Sequence, residues 1–207
     1  NRVSKRGDIA GNWAQTLLLP AVEGIGAERV LLVGLGDGGA VSDSDYRKLV
    51  QAVLHALIEH KLEEAHWLLD AITVKGRDEA WQLTQLAMAL GLREYRYTET
   101  LSKPKPAPVL RKLIVANATS GAAKTALQRG TAIGRGMNVA RGLGDLPPNI
   151  CTPTYLANEA RKLVTKHGAR KHGKLSAKIL DEKAMRDLGM GSLLAVAAGS
   201  DQPAKLI

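Results

Sequence analysis

Short apolar runs and longer stretches with apolar residues at helical spacing follow one another through the first half of the chain. The runs have strand length, and the first two fit strands that are buried on both faces of a sheet. We predict strands over Gln15–Leu19, Arg29–Leu35, Ala65–Val74 and Val109–Ala118, and helices over Ser44–His60 and Asp78–Tyr97. This order predicts an α/β fold in which a doubly wound mixed sheet is flanked by helices.

The two predicted helices carry start signals and apolar faces. Residues Ser42–Asp45 offer N-cap candidates for the first helix, because their side-chain oxygens can accept from free backbone amides. The inward face predicted for that helix comprises Leu49, Val53, Ala56 and Leu57, and the apolar members of the second are Trp81, Leu83, Leu86, Leu90 and Leu92. Between this helix and the fourth strand, the proline-rich segment Lys103–Pro108 predicts an exposed loop.

A long helix is predicted over Ala122–Gly144, with Gly130 and Gly134 one turn apart. We interpret them as a smooth groove where another helix or a neighbouring subunit approaches closely; the alternative is that they merely loosen the helix. Pro147 and Pro148 then disfavour helix in the residues before them, which predicts a rigid, extended crossing to a helix start at Thr152-Pro153. Such a crossing suits a change of domain.

Beyond the crossing, the pattern is weaker. It predicts a helix over Thr154–His167 with Leu156, Ala160, Leu163 and Val164 inward, a strand over Leu175–Leu180, and a short helix over Glu182–Leu188 that Gly189 ends. The small apolar residues of Ser192–Ala198 predict a fully buried strand.

Composition bounds the class of protein. The chain has 207 residues, of which 45% are hydrophobic and 24% charged, as in soluble globular proteins. No apolar run approaches the roughly 20 residues of a membrane span. A single cysteine, Cys151, excludes an internal disulfide and suits a reducing cytoplasm. The formal net charge of +9 favours an anionic partner.

The glycine-rich segment Gly34–Gly39 fits G-x-G-x-x-G with glycines at 34, 36 and 39, and Asp70 lies where a ribose-binding acid could follow. A dinucleotide-binding domain is therefore one alternative. The helix signals begin only at Ser42, however, and Asp37 would place negative charge beside the phosphates, so a plain glycine-rich turn fits better.

Other catalytic signals are missing from the sequence. None of the five histidines forms H-E-x-x-H, G-x-S-x-G does not occur, and Cys151 fits a small packed residue better than a nucleophile. The segment Arg161–Lys178 holds many cations and no acid, so it could contact phosphates or be a solvated helix end. A second basic set along the long helix comprises Arg129, Arg135 and Arg141.

Two segments carry a family resemblance. Asp145-Leu146-Pro147-Pro148-Asn149 is one version of a D-L-x-N-x-P-P-N-like pattern, and Leu180–Ser200 is similar to L-x-x-x-x-M-x-x-L-G-M-x-x-x-L-A-V-x-x-G-S. Both patterns are typical of leucyl aminopeptidases, also called cytosol aminopeptidases, and the chain resembles bacterial members over nearly its whole length. The resemblance implies an incomplete N-terminal α/β domain at residues 1–119, a connecting helix at 120–145 and a truncated start of the metallopeptidase domain at 146–207.

The resemblance also implies a function. Leucyl aminopeptidases remove N-terminal residues from peptides with two divalent metal ions, manganese or zinc, bound in motifs that resemble G-K-G-I-T-F-D and N-T-D-A-E-G-R. Neither motif occurs here, so no catalytic, cofactor-binding or metal-binding residue can be assigned to this chain, and we expect it to be inactive alone. The resemblance further implies a cytoplasmic homohexamer that acts on peptides with a free N-terminus and has no membrane association. It also implies DNA binding as a possible regulatory role.

Overall fold

The computed structural model describes residues 6–68, 72–104, 106–116, 118–170 and 173–207. The chain divides into two compact units, Asn1–Val139 and Ala140–Ile207. We call them the first unit and the second unit. The division falls inside a helix, and the domain limits inferred from the sequence stay predictions. No helix among the described residues has both the length and the apolarity to cross a membrane.

The described strands of the first unit pair two by two. Strands β1 (Thr16–Pro20) and β2 (Arg29–Val33) form an antiparallel hairpin in which Leu18 lies opposite Leu31. Strands β3 (Glu64–Trp67) and β4 (Lys112–Val115) are parallel, with Ala65 opposite Leu113. The mixed α/β class is confirmed, whereas one doubly wound sheet joining all the strands is a finer statement than these pairs support.

Helices α1 (Asp43–Glu59) and α2 (Glu79–Arg93) form the centre of the first unit. Each begins as the sequence predicts, because the side chains of Ser42 and Asp78 accept from the backbone N–H three residues further on, in the first turn of the helix. All four residues of the inward face predicted for α1 are buried. In α2, Leu83 and Leu86 are buried, and the helix ends at Arg93 instead of reaching Tyr97.

The long helix α3 spans Gly121–Asp145, and its glycines at 130 and 134 lie against α2. A methyl group on Gly130 would collide with the Thr84 carbonyl oxygen and with Ala87, and one on Gly134 would lie 3.3 Å from the Gly91 Cα. The predicted close approach is therefore confirmed, and the neighbour is a helix of the same unit. Two bonds reinforce the contact: Asn138 Nδ2 donates to the Gly91 carbonyl over 2.8 Å, and Thr84 Oγ1 donates to the Ala126 carbonyl over 3.3 Å.

The predicted extended crossing is wrong, because the residues after α3 form a turn. The amides of Ile150 and Cys151 both donate to the Pro147 carbonyl over 2.9 Å. Pro148 restricts the residue before it, but its own fixed φ suits the second position of a turn, so the chain can reverse immediately after it.

Helix α4 (Pro153–His167) then starts where the sequence places it, with the Thr152 hydroxyl accepting the Tyr155 amide. Its buried residue is Ala157, whereas Leu163, expected inward, is 42% exposed. The short strands β5 (Ala169–Arg170) and β6 (Gly173–Lys174) follow and pair antiparallel.

Two predicted strands of the second unit are not strands. Residues 175–179 have no regular structure, and only Leu180 pairs, in an isolated bridge with Leu206. Helix α5 (Glu182–Asp187) is confirmed, and the chain turns at Gly189, whose φ is +73°. The predicted strand Ser192–Ala198 is instead helix α6 (Gly191–Ala197), none of whose residues is buried. A run this short cannot be assigned by periodicity, and the two Leu and two Ala residues within it favour helix intrinsically.

Candidate functional site

The glycine-rich loop that suggested a dinucleotide site packs on the protein's own backbone. The Gly34 amide donates to the Gln15 carbonyl over 2.7 Å, and the Gly36 amide donates to the Gly11 carbonyl over 2.9 Å. A side chain on Gly34 would run into the backbone of Gly11 and Asn12. Amides engaged in this way are not available to a pyrophosphate, and α1 begins only at Asp43, beyond the glycines.

The candidate ribose acid Asp70 lies outside the described residues. The geometry of the loop alone therefore decides between the two interpretations, and it favours a glycine-rich turn. Its glycines allow the segment before β1 to approach closely and to bond with the end of β2.

Potential metal ligands are dispersed. Within the described parts of the chain, no group of three or more His, Cys, Asp or Glu side chains is placed to hold a metal ion. Two exposed histidines each lie beside one acid: His55 Nε2 is 3.5 Å from Glu59 Oε2, and His66 Nε2 is 3.7 Å from Glu64 Oε1. Cys151 is a free, half-buried thiol.

Two side chains at the start of the basic segment Arg161–Lys178 are hydrogen-bonded, and one of them is neutralised by an acid. Arg161 Nη1 donates to Asn158 Oδ1 over 2.8 Å, and Lys162 Nζ donates to Glu159 Oε1 over 2.6 Å. The bond to Glu159 and its charge raise the pKa of Lys162. Glu159 lies two residues before the segment, so a count of charges within it missed this neutralisation.

The rest of the segment offers exposed cations, including Lys174 and Lys178, whereas Lys171 and His172 lie outside the described residues. On α3, Arg129, Arg135 and Arg141 are exposed, so the second basic set also faces solvent there.

A charged and aromatic cluster at the start of α1 and α2 was not predicted. The guanidinium carbons of Arg47 and Arg77 lie 5.4 and 5.1 Å from the centre of the Trp81 ring. Asp43 accepts from Arg77 Nε and Nη2 over 3.0 and 2.7 Å. The bonds from Arg77 hold the pKa of the Asp43 carboxyl below its usual range and raise the pKa of Arg77.

The charged groups of this cluster bond to one another and to α2. Arg47 Nε also donates to Gln85 Oε1 over 2.8 Å. Beneath the cluster, burial raises the pKa of Tyr46, whose hydroxyl donates to the Gln82 carbonyl over 3.2 Å. The cluster therefore ties α1 to α2. The i,i+4 spacing of Asp43 and Arg47 was its sequence signal, whereas the approach of Arg77 depends on the tertiary fold.

The sequence matches a class of peptidases in two successive parts. Residues 1–104 match the N-terminal domain of the cytosol aminopeptidase family, and residues 138–207 match its catalytic domain. The chain belongs to the cytosol aminopeptidase family, also designated M17. The resemblance stated from the sequence is thus confirmed.

Curated relatives agree with this assignment. The probable cytosol aminopeptidase of Azotobacter vinelandii is 44% identical over 205 residues, which cover 98% of this chain and 40% of the relative. That of Nitrosomonas europaea is 41% identical over 210 residues, covering 100% of this chain and 41% of the relative. The chain thus spans about 40% of the length of these relatives.

Two solved structures share the fold of this chain. The bottromycin maturation enzyme BotP in complex with Mn superposes with a TM-score of 0.76 at 25% identity, over 98% of this chain and 40% of that one. A mutant of tomato leucine aminopeptidase gives a TM-score of 0.78 at 24% identity, over 99% of this chain and 39% of that one. The tomato likeness supports the fold alone.

Proposed function

We propose that this chain forms the N-terminal domain and the first part of the catalytic domain of a metal-dependent leucyl aminopeptidase. The whole enzyme removes N-terminal residues from peptides with a free amino group. The observation that carries the proposal is the order of the two family matches on one chain, N-terminal domain first and catalytic domain second. The names of the curated relatives support the same activity.

The proposed enzyme uses two divalent metal ions, manganese or zinc, which activate a water molecule and bind the substrate's free amine. Their ligands lie in sequence that this chain does not contain, since neither metal-site motif occurs in it. BotP, a structural relative, was solved with Mn, which favours manganese. What this chain contributes is structural: α3 runs into the second matched part, and the bridge between Leu180 and Leu206 lies within that part. We further propose that the strand pairs of the first unit belong to one doubly wound mixed sheet in the intact protein.

A peptidase assay tests whether the metal site lies outside this chain. The chain alone, supplied with Mn²⁺ and leucine p-nitroanilide, should release no nitroaniline, whereas the Azotobacter vinelandii relative under the same conditions should turn over. Hydrolysis that stays with this chain through repurification, and that a chelator abolishes, would place a metal site within these residues and overturn the proposal.

The assembly and location follow from the same family. We propose a cytoplasmic homohexamer with no membrane association for the intact protein. Sedimentation equilibrium on the intact enzyme should give six times the subunit mass; a monomer or dimer at micromolar concentration would contradict this.

DNA binding is the second candidate function, and the observation in its favour is the net charge of +9. Phosphate contacts release counterions, so binding should weaken steeply as salt is raised. Replacing Arg170, Lys171 and Lys174 by alanine should lower affinity about equally for all duplex sequences and flatten the salt slope by roughly one unit per lost contact.

A control variant separates local contact from net charge. Replacing Lys61, Lys75 and Lys103, which are exposed in the first unit, removes the same charge elsewhere. Equal effects of the two triple variants would mean that only net charge matters. An unchanged salt slope in the Arg170 variant would remove this segment from any DNA contact.

A further inference from the structure

The second unit leaves an apolar surface without a partner, and it centres on α6. Leu194 and Ala197 of that helix are half-buried, and α5 contributes the fully buried Met185. Leu193 and Val196, one turn apart on another side of α6, are 41% and 85% exposed. Leu188, in the turn between α5 and α6, is 60% exposed. One exposed apolar side chain is common on protein surfaces, but three within nine residues of chain make a cluster of the kind that marks a contact surface.

Backbone bonds hold this surface in a defined shape. Leu180 and Leu206 exchange two backbone hydrogen bonds of 2.8 and 3.1 Å, and Glu182 Oε1 accepts the Ala204 amide over 2.9 Å. The Asp181 carboxylate accepts the Ala184 amide over 2.9 Å at the start of α5. The residues around Leu206 are thus tied to the start of α5, which precedes the turn that carries Leu188, and a binding partner would meet a preorganised surface.

We propose that Leu188, Leu193 and Val196 form the docking surface for the polypeptide that completes the catalytic domain in the relatives. This inference rests on the proposed function. The relatives are about two and a half times as long as the part that this chain matches, so they contain the material to cover the surface. The catalytic-domain match includes α6 itself, which places the surface inside the domain that the additional polypeptide completes.

A second copy of the chain is a poorer occupant on grounds of charge. The second unit carries eleven lysines and arginines against six acidic residues. If this surface faced the same surface of a second copy, the same positive excess would meet from both sides, which opposes association there at moderate salt and leaves the contacts of the proposed homohexamer to other surfaces.

Binding in trans tests the proposal directly. The part of the Azotobacter vinelandii relative that this chain does not match is produced separately and titrated with the chain, with sedimentation velocity as the readout. We expect a one-to-one complex. Because a charge buried in an apolar contact is costly, Val196→Asp and Leu193→Asp should each raise the Kd about 10- to 100-fold.

The matched control is Ile25→Asp, which introduces the same charge at a 50% exposed apolar residue of the first unit. It should leave the Kd within about twofold of the unsubstituted chain, since isolated exposed positions contribute little. A complex whose Kd is indifferent to Val196→Asp would overturn the proposal. Self-association of the chain that Val196→Asp abolishes would assign the surface to a second copy and would overturn it equally.

A second measurement decides the matter if the separate part does not bind in trans. Val196→Cys is introduced in a Cys151→Ser background, and the rate of thiol labelling is compared between the chain alone and a chimera that continues after Ile207 into the relative's remaining sequence. The new thiol should react at least about tenfold more slowly in the chimera, because burial blocks the reagent. Labelling of the native chimera as fast as in urea would refute the docking surface.

These readouts measure contact, not catalysis. A complex or chimera that forms with Val196 protected but shows no Mn-dependent hydrolysis would leave the docking surface standing and remove the proposed function. Mn-dependent hydrolysis by a Val196→Cys chimera whose thiol at position 196 reacts as fast as in urea would support the proposed function and overturn the docking surface.

Discussion

The contact between α2 and α3 gives the sharpest test of the fold, because alanine substitutions at two glycines of α3 should change stability in opposite directions. A methyl group on Gly130 would lie 2.8 Å from the Ala87 Cβ and 3.0 Å from the Met88 amide nitrogen, and closer still to the Thr84 carbonyl. A methyl group on Gly136 would have no neighbour within 4 Å. Gly130→Ala and Gly136→Ala are thus the same substitution in the same helix, with and without an obstacle.

The magnitudes follow from two competing effects. Alanine is more favourable than glycine inside a helix by about 1 kcal/mol, and both variants gain this. Overpacking costs about 1 to 3 kcal/mol, and Gly130 falls at the upper end because two of the three obstructing atoms belong to backbone. We expect Gly136→Ala to stabilise by about 1 kcal/mol and Gly130→Ala to destabilise by about 1 to 2 kcal/mol.

Urea unfolding followed by tryptophan fluorescence measures the difference. Trp13, Trp67 and Trp81 are the three tryptophans of the chain and all lie in the first unit, so the signal reports that unit. In a thermal scan the two variants should differ by about 5 to 10 °C. If Gly130→Ala proves as stable as Gly136→Ala, α2 and α3 do not approach as described, and the groove interpretation of the glycines is wrong.

Three further variants test separate elements. Asp43→Asn removes a carboxylate whose pKa Arg77 lowers. Such a group stabilises the fold at pH values above its pKa in the unfolded chain, and the stabilisation is lost as the pH falls through its lower pKa in the folded protein. The stability of the variant should therefore decline less than that of the parent between about pH 5 and pH 2. Met185→Ala removes a fully buried side chain and should cost the second unit about 2 to 5 kcal/mol by far-UV circular dichroism, with the tryptophan transition unchanged. Thr152→Ala removes the acceptor for the Tyr155 amide and should destabilise α4 by about 1 kcal/mol, seen as earlier thermal loss of helix signal; an unchanged melt would refute the capping role.

Local sequence signals determined much of the first unit and the position of each long helix. Ser42, Asp78 and Thr152 cap helices where the sequence places them, because a cap is decided by a side chain and an amide within one turn. Gly130 and Gly134 likewise indicated a close neighbour, because another helix can approach the backbone this closely only where no side chain stands in the way. The family itself followed from the two motifs around Pro148 and Leu188.

Tertiary structure decided what depends on residues distant in the chain. The apolar run at α6 has the length of a strand but contains helix-forming residues, so its secondary structure is set by packing and not by the pattern of apolar residues. Contacts between residues far apart in the chain decide which strands pair, how Arg77 reaches Trp81, and which face of α6 stays exposed. Local propensity acts within one turn or one apolar run. The contacts named here depend instead on how separate elements pack together, and no single stretch of sequence specifies that packing.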